Sequence, residues 1–258
     1  MKTLTFSKYS GNGNDFIIIE SLSPAPELVK KMCDRHFGIG ADGVLELLPS
    51  DKADGRMRIY NADGGEAEMC GNGLRCLVTY MDDKIALKKN SYTIETMNAI
   101  YEVSKRNNAF AIEMSEIKDR NRFDLSVFDQ FKRNFFINTG VPHLVFLADD
   151  VMSIDMKQTA PFYRHHGLFE KGTNVSFVQI LSESAQFAYV RTYERGVEDE
   201  THSCGTGLTA CALALNNWFD WQNVIQLKTK GGLQKVEISD KVYYSGEVTF
   251  CFSGEMKL

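Results

Sequence analysis

Cys70-Gly71-Asn72-Gly73-Leu74 and Cys204-Gly205-Thr206-Gly207-Leu208 are near copies of each other, 134 residues apart in a chain of 258. A repeat at about half the chain length constrains the fold strongly, because a duplicated segment implies a duplicated architecture. Other traces keep the same order. Ser10-Gly11 and Phe16-Ile17-Ile18 correspond, at a spacing of 129, to Thr139-Gly140 and Val145-Phe146-Leu147, which sets Asn14 opposite His143. His36-Phe37-Gly38-Ile39 corresponds at the same spacing to His165-His166-Gly167-Leu168, and Tyr60 and Tyr193 each precede their cysteine at a spacing of 133. Two halves of similar build are expected, residues 1–118 and 119–258, with the polar stretch 116–122 as linker.

Composition sets outer bounds. The chain is 43% hydrophobic and 24% charged, ordinary for a soluble globular protein. A net charge of −5 without a long basic run argues against nucleic-acid or anionic-membrane partners, and the Lys84–Lys89 cluster reads as solvated surface. No apolar run approaches about 20 residues, and the N-terminal MKTLTFSKYSGNGND lacks an apolar signal region, so a cytoplasmic setting is expected. Six cysteines without CxxC spacing suggest reduced thiols.

Strand signals fall on Leu4–Phe6, Phe16–Glu20, Met57–Tyr60, Tyr92–Glu95, Ala99–Val103 and Ala109–Met114 in the first half. In the second they fall on Phe135–Ile137, Leu144–Leu147, Asn174–Ile180, Phe187–Tyr193, Val224–Lys228, Gly232–Ser239, Lys241–Tyr244 and Glu247–Phe252. Helices are expected over Ala25–His36, Leu74–Asp82, Met152–Arg164 with a break at Pro161, and Leu208–Phe219. Helices are too sparse between strands for a regular βαβ sheet. The expected fold is α+β: two pseudo-symmetric halves, each a curved, mostly antiparallel sheet around the helix that follows its CGxGL.

Each repeated Cys precedes Gly-x-Gly and an apolar run, which places both sulfurs at helix N-termini. Unpaired backbone N–H groups and the positive end of the helix dipole there favour a thiolate or a bound carboxylate. Two such thiols facing one carbon could remove a proton from one side and return one to the other. The loops before them, Tyr60 to Met69 and Tyr193 to Ser203, are rich in polar groups. Arg195 suits a bidentate grip on a carboxylate, and Glu194 or Asn61 suits a cationic amine. The acidic run Glu198 to Glu200 reads as solvated turn. Zinc spacing is absent, so no metal is expected. Cys33, Cys76, Cys211 and Cys251 lie in apolar patterns and read as buried core thiols. Cys-His hydrolysis through His143 or His202 remains open, but one thiol would suffice for it.

Several long segments together resemble the diaminopimelate epimerase family, pyridoxal-independent amino-acid epimerases of lysine and peptidoglycan synthesis, over nearly the whole chain. They are Gly11-Asn12-Gly13-Asn14-Asp15-Phe16, Asp34-Arg35-His36-Phe37-Gly38-Ile39-Gly40-Ala41-Asp42-Gly43, and Met57-Arg58-Ile59-Tyr60-Asn61-Ala62-Asp63-Gly64 running on to Glu68-Met69-Cys70-Gly71-Asn72-Gly73. Pro142-His143, Thr173-Asn174-Val175, Tyr193-Glu194-Arg195-Gly196 and Cys204-Gly205-Thr206-Gly207 continue them. The resemblance implies that Cys70 and Cys204 are the catalytic pair. It implies that Asn14, Asn61, Asn174, Glu194 and Arg195 contact substrate, and that His143 and Glu194 support the amine near the reacting carbon. The backbone of Gly71-Asn72 and Gly205-Thr206 would hold the α-carboxylate. It further implies two α/β halves closing over the substrate, a last strand returning to the first half, no cofactor, and a homodimer.

The chain departs from the family pattern twice. Val141 stands where Gly-Asn-Pro-His usually carries Asn, and the loop Gly196-Val197-Glu198-Asp199-Glu200-Thr201 is one residue longer than Gly-x-Gly-Glu-Thr. The leading expectation is epimerisation of LL-diaminopimelate to the meso form. The alternatives are a cofactor-independent racemase of another amino acid, of histidine or proline type, and a non-catalytic amino-acid-binding or thiol-redox protein. The last has no need for two thiols.

Overall fold

The computed structural model of the protein describes residues 3–84, 88–106, 109–114 and 117–258. Residue 116 of the expected linker and residues 85–87 of the lysine cluster lie outside the described residues. The chain forms two compact units, Met1–Ile112 with Gly246–Leu258, and Glu113–Ser245.

The first unit contains β1 (Thr3–Gly11), β2 (Asn14–Glu20), α1 (Pro26–Cys33), β3 (Gly43–Leu48), β4 (Gly55–Asn61), β5 (Glu66–Ala67), α2 (Gly71–Lys84), β6 (Ser91–Glu95), β7 (Ile100–Arg106) and β8 (Ala109–Glu113). The second contains β9 (Ile117–Lys118), β10 (Arg133–Thr139), β11 (Pro142–Leu147), a 3-10 turn (Val151–Ser153), α3 (Met156–Arg164), β12 (Asn174–Ser182), β13 (Phe187–Glu194), β14 (Asp199–Thr201), α4 (Gly205–Phe219), β15 (Asn223–Thr229), β16 (Gly232–Ile238) and β17 (Val242–Gly246). The last strand, β18 (Val248–Lys257), pairs antiparallel with β1.

Both units follow one pairing scheme. β1–β2 is antiparallel, β2–β3 parallel, β3–β4 antiparallel, β4–β6 parallel and β6–β7 antiparallel. β10–β11, β11–β12, β12–β13, β13–β15 and β15–β16 repeat that alternation in order. The two-residue β5 on β4 and the three-residue β14 on β13 occupy equivalent places just before α2 and α4. The fold is α+β, with the duplicated architecture that the CGxGL repeat implies.

Alternation along each strand decides which helix it packs against. Successive strand side chains point to opposite faces. In β2, Phe16 and Ile18 join the core around α2, while Ile17 and Ile19 join the core around α1. In β11, Val145 packs with α4, while Leu144 and Phe146 pack with α3. The helices α2 and α4 are buried on nearly every side, from Asn72 to Val78 and from Gly207 to Leu215, so each runs through the hollow of its sheet. Each fully buried Leu or Phe there contributes about 1.5–3 kcal/mol.

Several elements differ from sequence expectation. β3 has no counterpart among the expected strands: it is buried on both faces over Gly43–Glu46, so it shows a continuous apolar run broken by the buried Glu46 rather than alternation. Glu46 is tolerated because Tyr60 Oη donates to it at 3.0 Å and the Ser23 N–H also donates to it. Helix α1 stops at Cys33, where the Asp34 carboxylate accepts the N–H groups of His36 and Phe37, each at 2.7 Å, and turns the chain. Ahead of α3 the expected helix breaks at Ile154, and the Asp155 carboxylate caps the new start by accepting from Lys157 and Gln158. Pro161 does not break α3. The carbonyl that Pro161 deprives of its usual helical donor belongs to Lys157, on the exposed side of the helix. Cys33, Cys76 and Cys211 are buried, but Cys251 is exposed, as are all of residues 249–253 of β18.

Gly205 begins α4 where a Cβ would lie 2.8 Å from the ring of Tyr244, itself only 1% exposed. Gly205→Ala should therefore cost about 1–3 kcal/mol, seen as a lowered urea midpoint, whereas Gly71→Ala, whose Cβ would meet only Ile112 Cδ1 at 3.6 Å, should leave that midpoint little changed.

Candidate active site

The strand faces that look onto α2 and α4 carry the polar residues singled out in the sequence, and they do so at strand ends. In β2, Asn14 has the parity of Phe16 and Ile18, so it faces α2. In β4, Asn61 has the parity of Met57 and Ile59, and Phe16, Gly43 and Asn61 are in register across β2, β3 and β4. In the second unit, His143 shares parity with Val145, Asn174 with Ser176 and Val178, and Glu194 with Thr192 and Val190. His143 is in register with Asn174, and Val175 with Tyr193, so His143, Asn174 and Glu194 lie side by side across β11, β12 and β13. Their common face looks towards α4.

Each repeated cysteine stands at the N-terminus of its unit's central helix. The Leu74 N–H donates to the Cys70 carbonyl and the Leu208 N–H to the Cys204 carbonyl, both at 2.8 Å, closing the first turns of α2 and α4. The second glycine of each repeat lets the helix start approach the sheet. A Cβ on Gly73 would meet Leu45 at 3.0 Å, and one on Gly207 would meet His143 and Thr192 at 3.2 Å. An anion at such a helix start gains about 0.3–2 kcal/mol from the dipole.

In the first unit, the half-buried Cys70 Sγ donates to Asn14 Oδ1 at 3.7 Å. Asn72 is buried, and its Oδ1 accepts from the buried Arg75 guanidinium at 2.7 Å, leaving the turn at Gly71-Asn72 fixed from inside. Asn61 is exposed, and its backbone closes the tight turn to Gly64 and Gly65.

In the second unit the residues are joined more closely. Cys204 Sγ lies 3.4 Å from Thr206 Oγ1, which lies 3.0 Å from His143 Nε2. Thr139 Oγ1 donates to the Thr206 carbonyl at 2.9 Å. Glu194 bonds to the Cys204 thiol and accepts from Thr201 Oγ1. Asn174 bridges two segments, with Nδ2 donating to the Pro142 carbonyl at 2.9 Å and Oδ1 accepting the Arg195 N–H at 2.7 Å. The Arg195 guanidinium rests on the Lys171 carbonyl at 3.3 Å.

Burial governs ionisation in this cluster. The Cys204 thiol is pushed well above its ordinary value, first by desolvation and then by the negative charge of Glu194. Glu194 is itself raised by burial, against the lowering effect of its bonds from Thr201 and Cys204. His143 is fully buried and its pKa falls to about 3, because burial disfavours the charged ring and Arg195 repels it. The neutral imidazole has no hydrogen-bond partner at Nδ1 among the described residues. A protonated Cys204 thiol beside Glu194, with neutral His143 two bonds away through Thr206, is an arrangement that can donate a proton and take it back.

Glu198 of the acidic run is the exposed turn residue expected, but Glu200 is not. Glu200 is 8% exposed at its side chain and pairs with Arg191 and Lys230, both at 2.7 Å, while Glu198 pairs with Arg164 at 2.7 Å. The residues that sequence reading missed stand behind the expected ones: Thr139 behind Thr206, Thr201 behind Glu194, and Asp42 behind Asn14. Asp42 had a signal, since it sits in the long Asp34–Gly43 motif that no role had absorbed. Among the described residues no group of three or more His, Cys, Asp or Glu side chains could hold a metal ion, and no helix is long and apolar enough to cross a membrane.

Solved structures define the class of fold first. A phenazine biosynthesis protein of the PhzF family from Bacillus anthracis covers all of this chain and is covered fully by it, with a TM-score of 0.75 at 14% identity. A hydroxyproline epimerase from Agrobacterium vitis, solved with bound trans-4-hydroxy-L-proline, matches 98% of this chain and 92% of its own, with a TM-score of 0.67 at 13% identity. At such identities the likeness is one of fold. Sequence narrows it further. The diaminopimelate epimerase family's sequence pattern matches residues 6–117 and 135–251. Proteins named diaminopimelate epimerase from Methanocella arvoryzae and Flavobacterium psychrophilum are 39% and 37% identical, over 99% and 95% of this chain and 98% and 97% of their own lengths. The chain belongs to the diaminopimelate epimerase family, a family of isomerases.

The His143 pKa sets a pH dependence. A ring with a folded pKa of about 3 against an ordinary 6.5 leaves the unfolded chain binding the extra proton. Its contribution to stability is complete above pH 6.5 and is lost as pH falls towards 3. The urea midpoint should drop over that window, and His143→Gln should remove that part of the dependence.

Proposed function

We propose that this protein interconverts LL- and meso-diaminopimelate by proton transfer between the α-carbon and two cysteines, Cys70 and Cys204. The observation that carries this reading is the duplicated thiol, set in each unit at the start of a helix whose first-turn N–H groups suit an α-carboxylate. Membership of the family supplies the substrate.

The α-hydrogen of an amino acid is a very weak acid, and without an electron-sink cofactor the carbanion must be stabilised by its surroundings. In this mechanism one sulfur acts as thiolate and takes the α-proton, leaving the carbon's electron pair beside a carboxylate held by the backbone of Gly71-Asn72 and Gly205-Thr206. The other sulfur, as thiol, gives its proton to the opposite face. The product differs only in configuration, and the two sulfurs have exchanged protonation states. Cys204 suits the donor role, because burial and Glu194 keep its proton on. His143 and Glu194 support the substrate amine near the reacting carbon, as the family resemblance implies. Asn14, Asn61, Asn174, Glu194 and Arg195 hold the amine and the carboxylate ends. Water exclusion would favour the carbanion, which calls for an open and a substrate-closed state.

The same reading makes the protein a cytoplasmic homodimer without cofactor in lysine and peptidoglycan-precursor synthesis, acting on a small amino acid and on neither nucleic acid nor membrane. The acidic charge balance and the family resemblance support it.

The reduced protein with LL-diaminopimelate in D₂O should lose the α-proton NMR signal while meso product accumulates. Cys70→Ala and Cys204→Ala should each lower turnover by about 10²–10⁴-fold while far-ultraviolet circular dichroism stays unchanged. Near-normal turnover in either variant would refute the two-base mechanism, and exchange with proline or histidine but not diaminopimelate would reassign the substrate.

A further inference from the structure

The Asp34–Gly43 motif finds its use behind Asn14. Asn14 Nδ2 donates to Asp42 Oδ2 at 2.8 Å, and the Asp15 N–H donates to the same oxygen at 3.1 Å. The other Asp42 oxygen accepts from Arg35 Nη2 at 2.7 Å, and Arg35 also grips Asp15 through two bonds of 2.8 and 3.0 Å. Asp15 completes the ring by accepting the Asp42 N–H at 3.0 Å and pairing with Lys8 at 2.9 Å. On the inner side of the same loop, Arg75 Nη2 donates to Asn12 Oδ1 at 3.1 Å, at a residue held in the left-handed region with φ 53°. The Asn12–Asn14 turn is thus clamped from both sides.

A carboxylate only accepts hydrogen bonds, so the amide group that faces Asp42 must be the NH₂. The carbonyl oxygen is thereby left pointing at Cys70 Sγ, 3.7 Å away. We propose that Asp42, held by Arg35, is a positioning residue that fixes the Asn14 carboxamide with its oxygen towards Cys70, so that the Cys70 S–H has a set acceptor. A flipped amide would instead offer N–H donors to the sulfur and hold it as an acceptor. The orientation of one amide therefore decides which partner the proton-transferring sulfur meets, and the anion at Asp42 decides the orientation. The inference rests on Cys70 being the reacting thiol of the first unit.

The test is the infrared S–H stretch of the reduced protein, with the Cys70 band assigned by its loss in Cys70→Ser. A hydrogen-bonded S–H absorbs at lower frequency than a free one. Asn14→Ala should move the band to higher frequency, Asp42→Asn should do the same by allowing the amide to turn, and the double variant should move it no further than Asn14→Ala alone. Arg35→Lys, which keeps the carboxylate, should leave the band closer to its native position than Asp42→Asn does. An unmoved band in Asp42→Asn, or additive shifts in the double variant, would overturn the assignment. The native protein gives a second reading that needs no variant at position 42: the Asn14 side-chain N–H protons, bonded to an anion, should lie downfield and exchange slowly, and values typical of a free amide would equally overturn it. Neither measurement depends on turnover, so a failure here is distinct from a failure of the epimerase reading.

Discussion

The structure depends most on how closely each central helix meets its sheet at the N-terminal turn. Gly73 and Gly207 remove the side chains that would otherwise hold α2 and α4 away from Leu45 and from His143 and Thr192. Close approach brings the cysteine one residue before each helix to the level of the strand ends. Only there do Asn14, His143, Asn174 and Glu194 emerge on the helix-facing side of their strands. Were the helix to sit farther out, the same residues would face a gap, and buried polar groups such as the His143 ring and the Glu194 carboxyl would lose the partners that offset their desolvation.

The two units use one pairing scheme for different local chemistry. Cys70 meets the Asn14 amide, which Asp42 holds from behind, while Asn72 and Arg75 pair with each other in the first turns of α2. Around Cys204 a carboxyl, a hydroxyl and a neutral imidazole come close, in Glu194, Thr206 and His143. Position 75 carries an arginine where the repeat places Thr209 in the second unit. Duplication thus supplied the scaffold, and substitutions on it separated the surroundings of the two thiols, as a proton taken at one sulfur and given at another would require.

Much of this was legible in the chain. The repeated CGxGL located both helix starts, and alternation in Phe16–Ile19 and Leu144–Leu147 located strands whose two faces serve different helices. The expected site residues sit where those periods place them. Sequence reading failed where the pattern carries no period. Buried on both faces, β3 reads as a short apolar run around a glutamate. Cys251 has apolar neighbours in sequence but lies in a stretch of β18, residues 249–253, that is exposed throughout. Glu200 looks like a surface turn until Arg191 and Lys230 are seen to enclose it.

The sequence by itself determined the duplication, the α+β class, the position of each thiol at a helix start and the family to which the chain belongs, because these follow from local periodicity and from spacing along the chain. The tertiary structure alone decided which side chains share a proton or an orientation: Cys204 with Glu194, Thr206 with His143, Asn14 with Asp42 and Cys70. Those partners are separated in sequence by as many as 63 residues, as for His143 and Thr206. The strength of such contacts is set by burial and hydrogen-bond geometry, which exist only once strands from distant parts of the chain lie in register.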